Sequence, residues 1–175
     1  MEFVRSIEVT KIKKAYVVKV KGLHPKGKSM IFHVDSGASV TVVGLNSLCD
    51  KDDTKNYEQL KAIIEREISK ENLEPYAING STVTEEQIKI YPCRYEGVSI
   101  SETVPITLYF YIHLGNVSMP LLGFDYIDDT SYHHSIAGDL FVNGVAEEVG
   151  KRFYPLKVLD FNSIMDEYKH SIVDI

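Results

Sequence analysis

Cysteine occurs only twice in the 175 residues, at Cys49 and Cys93. Two thiols cannot build a disulfide framework, and they read as reduced thiols of a cytoplasmic protein, although a single disulfide between them is compatible with the sequence. No apolar run approaches the about 18–20 residues of a membrane-spanning helix, so no membrane partner is expected. The opening stretch "MEFVRSIEVTKIKK" lacks the apolar core of a signal peptide. Tryptophan is absent and tyrosine frequent, which decides nothing about function. An excess of positive charge is missing too: the formal net charge is −6, with 44% hydrophobic residues, so the chain is globular and its bulk repels phosphate. One stretch runs against that balance. Residues 11–28, "KIKKAYVVKVKGLHPKGK", carry seven lysines and no acid. These lysines alternate with Val and Ile at strand spacing, as on the solvated face of an amphipathic hairpin, so nucleic acid is not an expected partner.

What is present is mostly period-two patterning. "YVVKVKG" and "SMIFHVD" read as two strands joined by "GLHPKGK", and "SVTVVGL" as a third. "QIKIYPCRY" and "VPITLYFYI" are further strands, with Pro92 and Pro105 at edges or strand starts. Asn143-Gly144 in "DLFVNGVAEE" favours a tight hairpin turn. Between about 53 and 71 the period changes: Tyr57, Leu60, Ile63, Ile64 and Ile68 recur at helical spacing, with Asp53, Thr54 or Asn56 available as a cap. A short helix is expected after Gly123 and another at "NSIMDEYKH". With no repeat or linker, residues 1–175 form one mainly-β domain with a helical insertion.

The third strand is preceded by a polar interruption, Asp35-Ser36-Gly37 in "FHVDSGASVTVV". Taken alone the triplet is a turn. Its apolar flanks, Phe32 and Val34 before and Val40, Val42 and Val43 after, would nonetheless anchor a loop that lifts one carboxylate out of the sheet beside backbone amides. Acid–base work then needs a second group, because one must take a proton while another gives one. Further on, "MPLLGFDYID" sets two apolar residues before Gly123 at a strand end.

Asp35-Ser36-Gly37-Ala38-Ser39 together with Leu121-Leu122-Gly123-Phe124-Asp125 resembles the retropepsin-like aspartic proteases, the single-domain relatives of pepsin. Between the two motifs that family carries a β-hairpin flap, and "YAINGSTV" at residues 76–83 stands in its place. The resemblance spans a core of about 15–145 and implies a retropepsin-like closed β-barrel. It departs from viral members in the helical insertion at about 53–71 and in a C-terminal extension at about 146–175. It implies an aspartic endopeptidase whose second carboxylate is Asp35 of another copy, since "IDDTSY" and "AGDLFV" lack the glycine in register. The catalytic residues so implied are Asp35, Ser36 and Gly37, with the Ser36 hydroxyl bracing the paired loops across a homodimer. The implied peptide-binding residues are Ala38, Ser39, His33, Ala77, Ile78, Asn79, Gly80, Met119 and Leu121. Ser39 stands where viral members commonly carry an acid, so an acid-based contact is not implied there. No cofactor is implied.

Other chemistries fit less well. His33, Asp35 and Ser36 are too close in sequence to converge as a hydrolase triad. Adjacent His133 and His134 point to opposite faces of a strand, and no other ligand spacing joins them, so no metal is expected. Cys49 has no nucleophile signature around it. Two other function classes stay open: a retropepsin-like dimerisation or peptide-binding module without efficient cleavage, and a nucleic-acid-binding β-barrel resting on the lysine stretch.

Overall fold

A computed structural model describes residues 4–8, 10–12, 15–50, 52–77, 88–100, 105–127, 139–143 and 146–171, with backbone only for 4–8, 10–12, 15, 139–143 and 146. In chain order its elements are β1 (Val4–Glu8), β2 (Thr10–Ile12), β3 (Ala15–Lys21), β4 (Met30–Val34), β5 (Val42–Gly44) and a 3-10 turn (Leu45–Ser47). Then come α1 (Thr54–Glu71), β6 (Ile90–Ile100), β7 (Ile106–His113), β8 (Leu121–Leu122), β9 (Asp139–Asn143), α2 (Ala146–Phe153), β10 (Leu159–Asp160) and α3 (Phe161–Ser171).

Alternation makes the first hairpin. On β3 and β4, Val18 faces Phe32 and Val20 faces Met30, and all four are buried. Lys19 and Lys21 between them, and Lys26 and Lys28 in the turn, stand in solvent. The lysines therefore clothe the outer face of a barrel wall, as their spacing predicts. From there β4 runs parallel to β8, β8 meets β5, β5 runs parallel to β7, and β7 pairs antiparallel with β6. β6 then returns to β3 through Ser99 and Ile100, closing a ring of six strands. Gly97 makes that closure possible. At φ 94° it occupies the register shift between Glu96 and Val98, a bulge that bends the long strand away from β7. This mainly-β closed barrel, with a helix between the Asp35 loop and residues 76–90, is the fold class expected from the sequence.

The helices complete the core. Asp53 caps α1, accepting from the Asn56 backbone N–H at 3.4 Å and its side-chain amide at 2.7 Å. The buried stripe Leu60, Ile63 and Ile64 is the one its periodicity predicts. This stripe does not lie on open sheet, however. The C-terminal segment sets β10 parallel beside β6 and lays α3 across β6, so α1 meets α3, β10 and the 3-10 turn. Leu60 and Ile64 from α1 and Phe161, Met165 and Tyr168 from α3 join the barrel side chains in one hydrophobic cluster. Cys49 and Cys93 are free and buried; the Cys49 Sγ meets the Tyr168 hydroxyl at 2.7 Å.

Three local expectations are revised. The third strand is only Val42–Gly44, because the Thr41 N–H and hydroxyl turn to Asp125 and only its carbonyl meets β7, at the Tyr111 N–H. From Ala146 the chain is α2 and not a hairpin arm; β9 pairs instead with β1 in a separate two-stranded sheet. After Gly123 comes one turn, closed by Tyr126 and Ile127 N–H on the Gly123 carbonyl, and the stretch beyond Ile127 in which the short helix is expected lies outside the described residues. Pro105 stands just before β7, but Pro92 lies within β6, opposite Tyr111 and close to the strand's beginning.

Candidate active site

Two parallel strands, β4 and β8, end side by side and run into two loops. His33 pairs with Leu121 and Val34 with Leu122, after which the chain leaves the ladder as residues 35–41 on one side and 123–127 on the other. Backbone groups that leave a ladder still need partners. These two loops supply each other's. The Asp35 N–H donates to the Leu122 carbonyl at 3.0 Å, and the Phe124 N–H to the Ala38 carbonyl at 2.7 Å. They cross so closely at Gly123 that a Cβ there would stand 2.4 Å from the carbonyl carbon and oxygen of Val40 and 2.9 Å from the Ala38 oxygen.

Asp35 sits half-buried at the start of the first loop. Its Oδ1 accepts the Gly37 N–H at 2.9 Å and its carbonyl accepts the Ala38 N–H at 3.2 Å. Among the described residues its Oδ2 has no hydrogen-bond partner, so one carboxylate oxygen is oriented and the other is open. Ser36, Gly37 and Ser39 are exposed and Ala38 is half-buried. His33, Met119 and Leu121 are each half-buried, and the His33–Leu121 pairing puts two of these expected peptide-binding residues together beside Asp35. Ala77 is buried, and its neighbour Tyr76 bridges Ile90 through two hydrogen bonds of 2.9 Å, bringing residues 76 and 90 together antiparallel. Ile78, Asn79 and Gly80 lie outside the described residues, as do His133 and His134. Among the described residues the Ser36 side chain has no hydrogen-bond partner.

A second carboxylate was legible only as part of a motif. Asp125 is fully buried, two residues after the crossing glycine. Its Oδ1 accepts the Thr41 hydroxyl at 2.8 Å and the Tyr126 N–H at 3.1 Å; its Oδ2 accepts the Thr41 N–H at 3.1 Å and the Tyr154 hydroxyl at 2.6 Å. The Thr41 hydroxyl oxygen in turn accepts the Gly123 N–H at 3.1 Å. Burial pushes the Asp125 carboxyl up to about 6, outweighing those hydrogen bonds. Burial likewise raises the Tyr154 phenol, with Asp125 beside it adding to the effect. An acid among "LLGFDYI" hints at such a network, but nothing in the sequence names Thr41 or Tyr154 as its partners.

This arrangement presents one oriented, partly solvated carboxylate on a loop braced by a buried polar network. One such group can take a proton or give one; it cannot do both at once. Among the described residues no cluster of three His, Cys, Asp or Glu side chains could hold a metal ion, and no helix is long and apolar enough to cross a membrane. No protein-family model matches the chain, and no curated protein matches it in sequence. Among solved structures it is similar to the crystal structure of a retropepsin-like aspartic protease from Rickettsia conorii, at 16% identity and a TM-score of 0.41, covering 82% of this chain and 93% of that one. The chemistry proposed below rests on the geometry of the site.

Proposed function

We propose that this chain is an aspartic endopeptidase with one active site per homodimer, formed by Asp35 of each copy. The observation that carries this reading is the Asp35 carboxylate itself. It projects half-buried from the crossing of two mutually hydrogen-bonded loops, one oxygen held by the Gly37 N–H and the other open. The described residues present one such group, and on this reading a two-fold axis supplies the second. Two carboxylates a few ångström apart cannot both ionise readily and share one proton. The unprotonated one takes a proton from a water, which attacks the scissile carbonyl carbon, while the other gives its proton to the carbonyl oxygen. The carboxyl that took the water's proton then gives it to the amide nitrogen as the C–N bond breaks, and the other carboxylate takes a proton from a hydroxyl of the tetrahedral diol, which restores the shared proton. Ser36 braces the paired loops, and Ala38, Met119 and Leu121 offer apolar walls to a peptide whose backbone pairs in strand fashion. Residues 1–175 act as one retropepsin-like unit.

Incubation with a mixed peptide library at mildly acid pH, with and without pepstatin, tests this reading. Wild type should cut between apolar or aromatic residues, pepstatin should block it, and Asp35→Asn should abolish cleavage with an unchanged melting temperature, because an amide cannot serve as base. Unchanged turnover in a folded Asp35→Asn chain ends the proposal. A chain that binds apolar peptides but cuts none would instead be the peptide-binding module.

A further inference from the structure

Tyr154 stands outside the barrel, immediately after α2, yet its hydroxyl reaches the buried Asp125 at 2.6 Å. Two features bring it there. Gly150 has no side chain, and a Cβ there would lie 2.5 Å from the Tyr109 ring, so α2 can rest directly on β7. The Tyr154 N–H donates to the Gly150 carbonyl at 3.1 Å, carrying the last turn of the helix inward. The ring then stacks on Tyr111, centroids 4.7 Å apart at 21°, and tilts against Tyr109 at 5.4 Å. Tyr111 in turn meets Tyr76 edge-on at 5.5 Å, at the residue that bridges Ile90.

We propose that Tyr154 is a positioning residue for the Asp35 loop, so that the C-terminal segment is part of the catalytic apparatus. This rests on the reading of Asp35 as the catalytic acid. The loop is tied at both ends: at Asp35 by the Leu122 carbonyl, and at Thr41 by both oxygens of Asp125. Asp125 Oδ2 receives the Thr41 N–H and the Tyr154 hydroxyl together, so the far end of the loop is referenced to α2. A fully buried carboxylate that loses one of these donors has no water at hand to replace it, and it must shift or recruit another group. Displacements of about 1 Å around a catalytic group can cost about a hundredfold in rate. The raised Tyr154 phenol supports the assignment, since the hydroxyl stays protonated and able to donate throughout the acid and neutral range.

Tyr154→Phe in the full chain keeps the ring and removes only the hydroxyl. Amide hydrogen exchange by NMR, without substrate, should accelerate at least about tenfold at Thr41 and Gly123 and stay unchanged at Phe32 in the hairpin. With peptide, kcat should fall about tenfold while KM stays within about twofold, a split that general loosening would not produce. In wild type, the Tyr154 hydroxyl proton should itself be visible as a slowly exchanging downfield resonance, a measurement that needs no variant to fold. Exchange at Thr41 within about twofold of wild type in the variant, an unchanged kcat, or a freely exchanging Tyr154 hydroxyl would each overturn the proposal. Absence of any cleavage by wild type with exchange altered as expected would sink the peptidase reading alone.

Discussion

Gly123→Ala adds a single methyl group at the place where the two loops of the site cross. That methyl would stand 2.4 Å from the Val40 carbonyl carbon and oxygen and 2.9 Å from the Ala38 oxygen, all backbone atoms of the Asp35 loop. A flexible side-chain tip could swing away; a backbone tied by the Phe124 N–H to Ala38 and by Thr41 to Asp125 can only move as a unit. Overpacking of this kind costs about 1–3 kcal/mol. Loss of the 2.7 Å Phe124–Ala38 hydrogen bond adds about 1 kcal/mol. The sum, about 2–4 kcal/mol, is a large part of a typical domain stability of about 5–15 kcal/mol. At about 2–4 °C per kcal/mol for a chain of this size, the melting temperature should drop by roughly 4–16 °C. The loop carrying Asp35 must yield first, so the proposed peptidase activity, measured well below the new melting point, should fall further than the fraction unfolded explains. Thermal unfolding by circular dichroism beside an initial-rate assay reads both. A melting temperature within about 2 °C of wild type, with unchanged turnover, would refute the close crossing and the strain reasoning built on it.

If the active centre takes Asp35 from two chains, equal amounts of wild type and Asp35→Asn co-refolded at random should retain about one quarter of the activity per total protein; about one half would mean independent monomers. Asp125 should leave a pH signature on stability. Its carboxyl is raised from an ordinary 3.8 to about 6, so between those values the folded chain keeps a proton that the unfolded chain has released. The stabilisation is full below the lower value and lost as pH rises through the upper one, an amount of roughly 3 kcal/mol. Urea midpoints of wild type should therefore decline relative to Asp125→Asn between about pH 4 and 6, and parallel curves would refute the assignment. Leu60→Ala on α1 empties a fully buried position and should cost about 2–5 kcal/mol, whereas exposed Glu58→Ala should stay within about 0.5 kcal/mol; equal effects would mean that the helix is not part of the core.

Local rules carried much of this protein. Val18, Val20, Met30 and Phe32 alternate with solvated residues, and period two is enough to place them on one face of a hairpin whatever that hairpin later meets. Asp53 and the stripe Leu60, Ile63 and Ile64 define α1 within one stretch of chain, because cap and periodicity are properties of near neighbours. Asp35-Ser36-Gly37 is readable for the same reason: its hydrogen bond from Gly37 to Asp35 spans two residues. Asn143-Gly144 shows the limit, since a pair that favours a turn is followed here by α2, which tertiary packing against β7 rewards. What only the folded chain decided are the meetings between distant residues. Thr41 and Asp125 are 84 positions apart, and Tyr154 another 29 beyond Asp125. An isolated strand or helix pattern states that a face is apolar but not which other face will cover it, so α1 could be predicted as a helix without its place on α3. A buried carboxylate states only that it needs donors. Their identity emerges when the barrel closes and removes water, because burial then leaves Asp125 no partners except those the fold brings within reach.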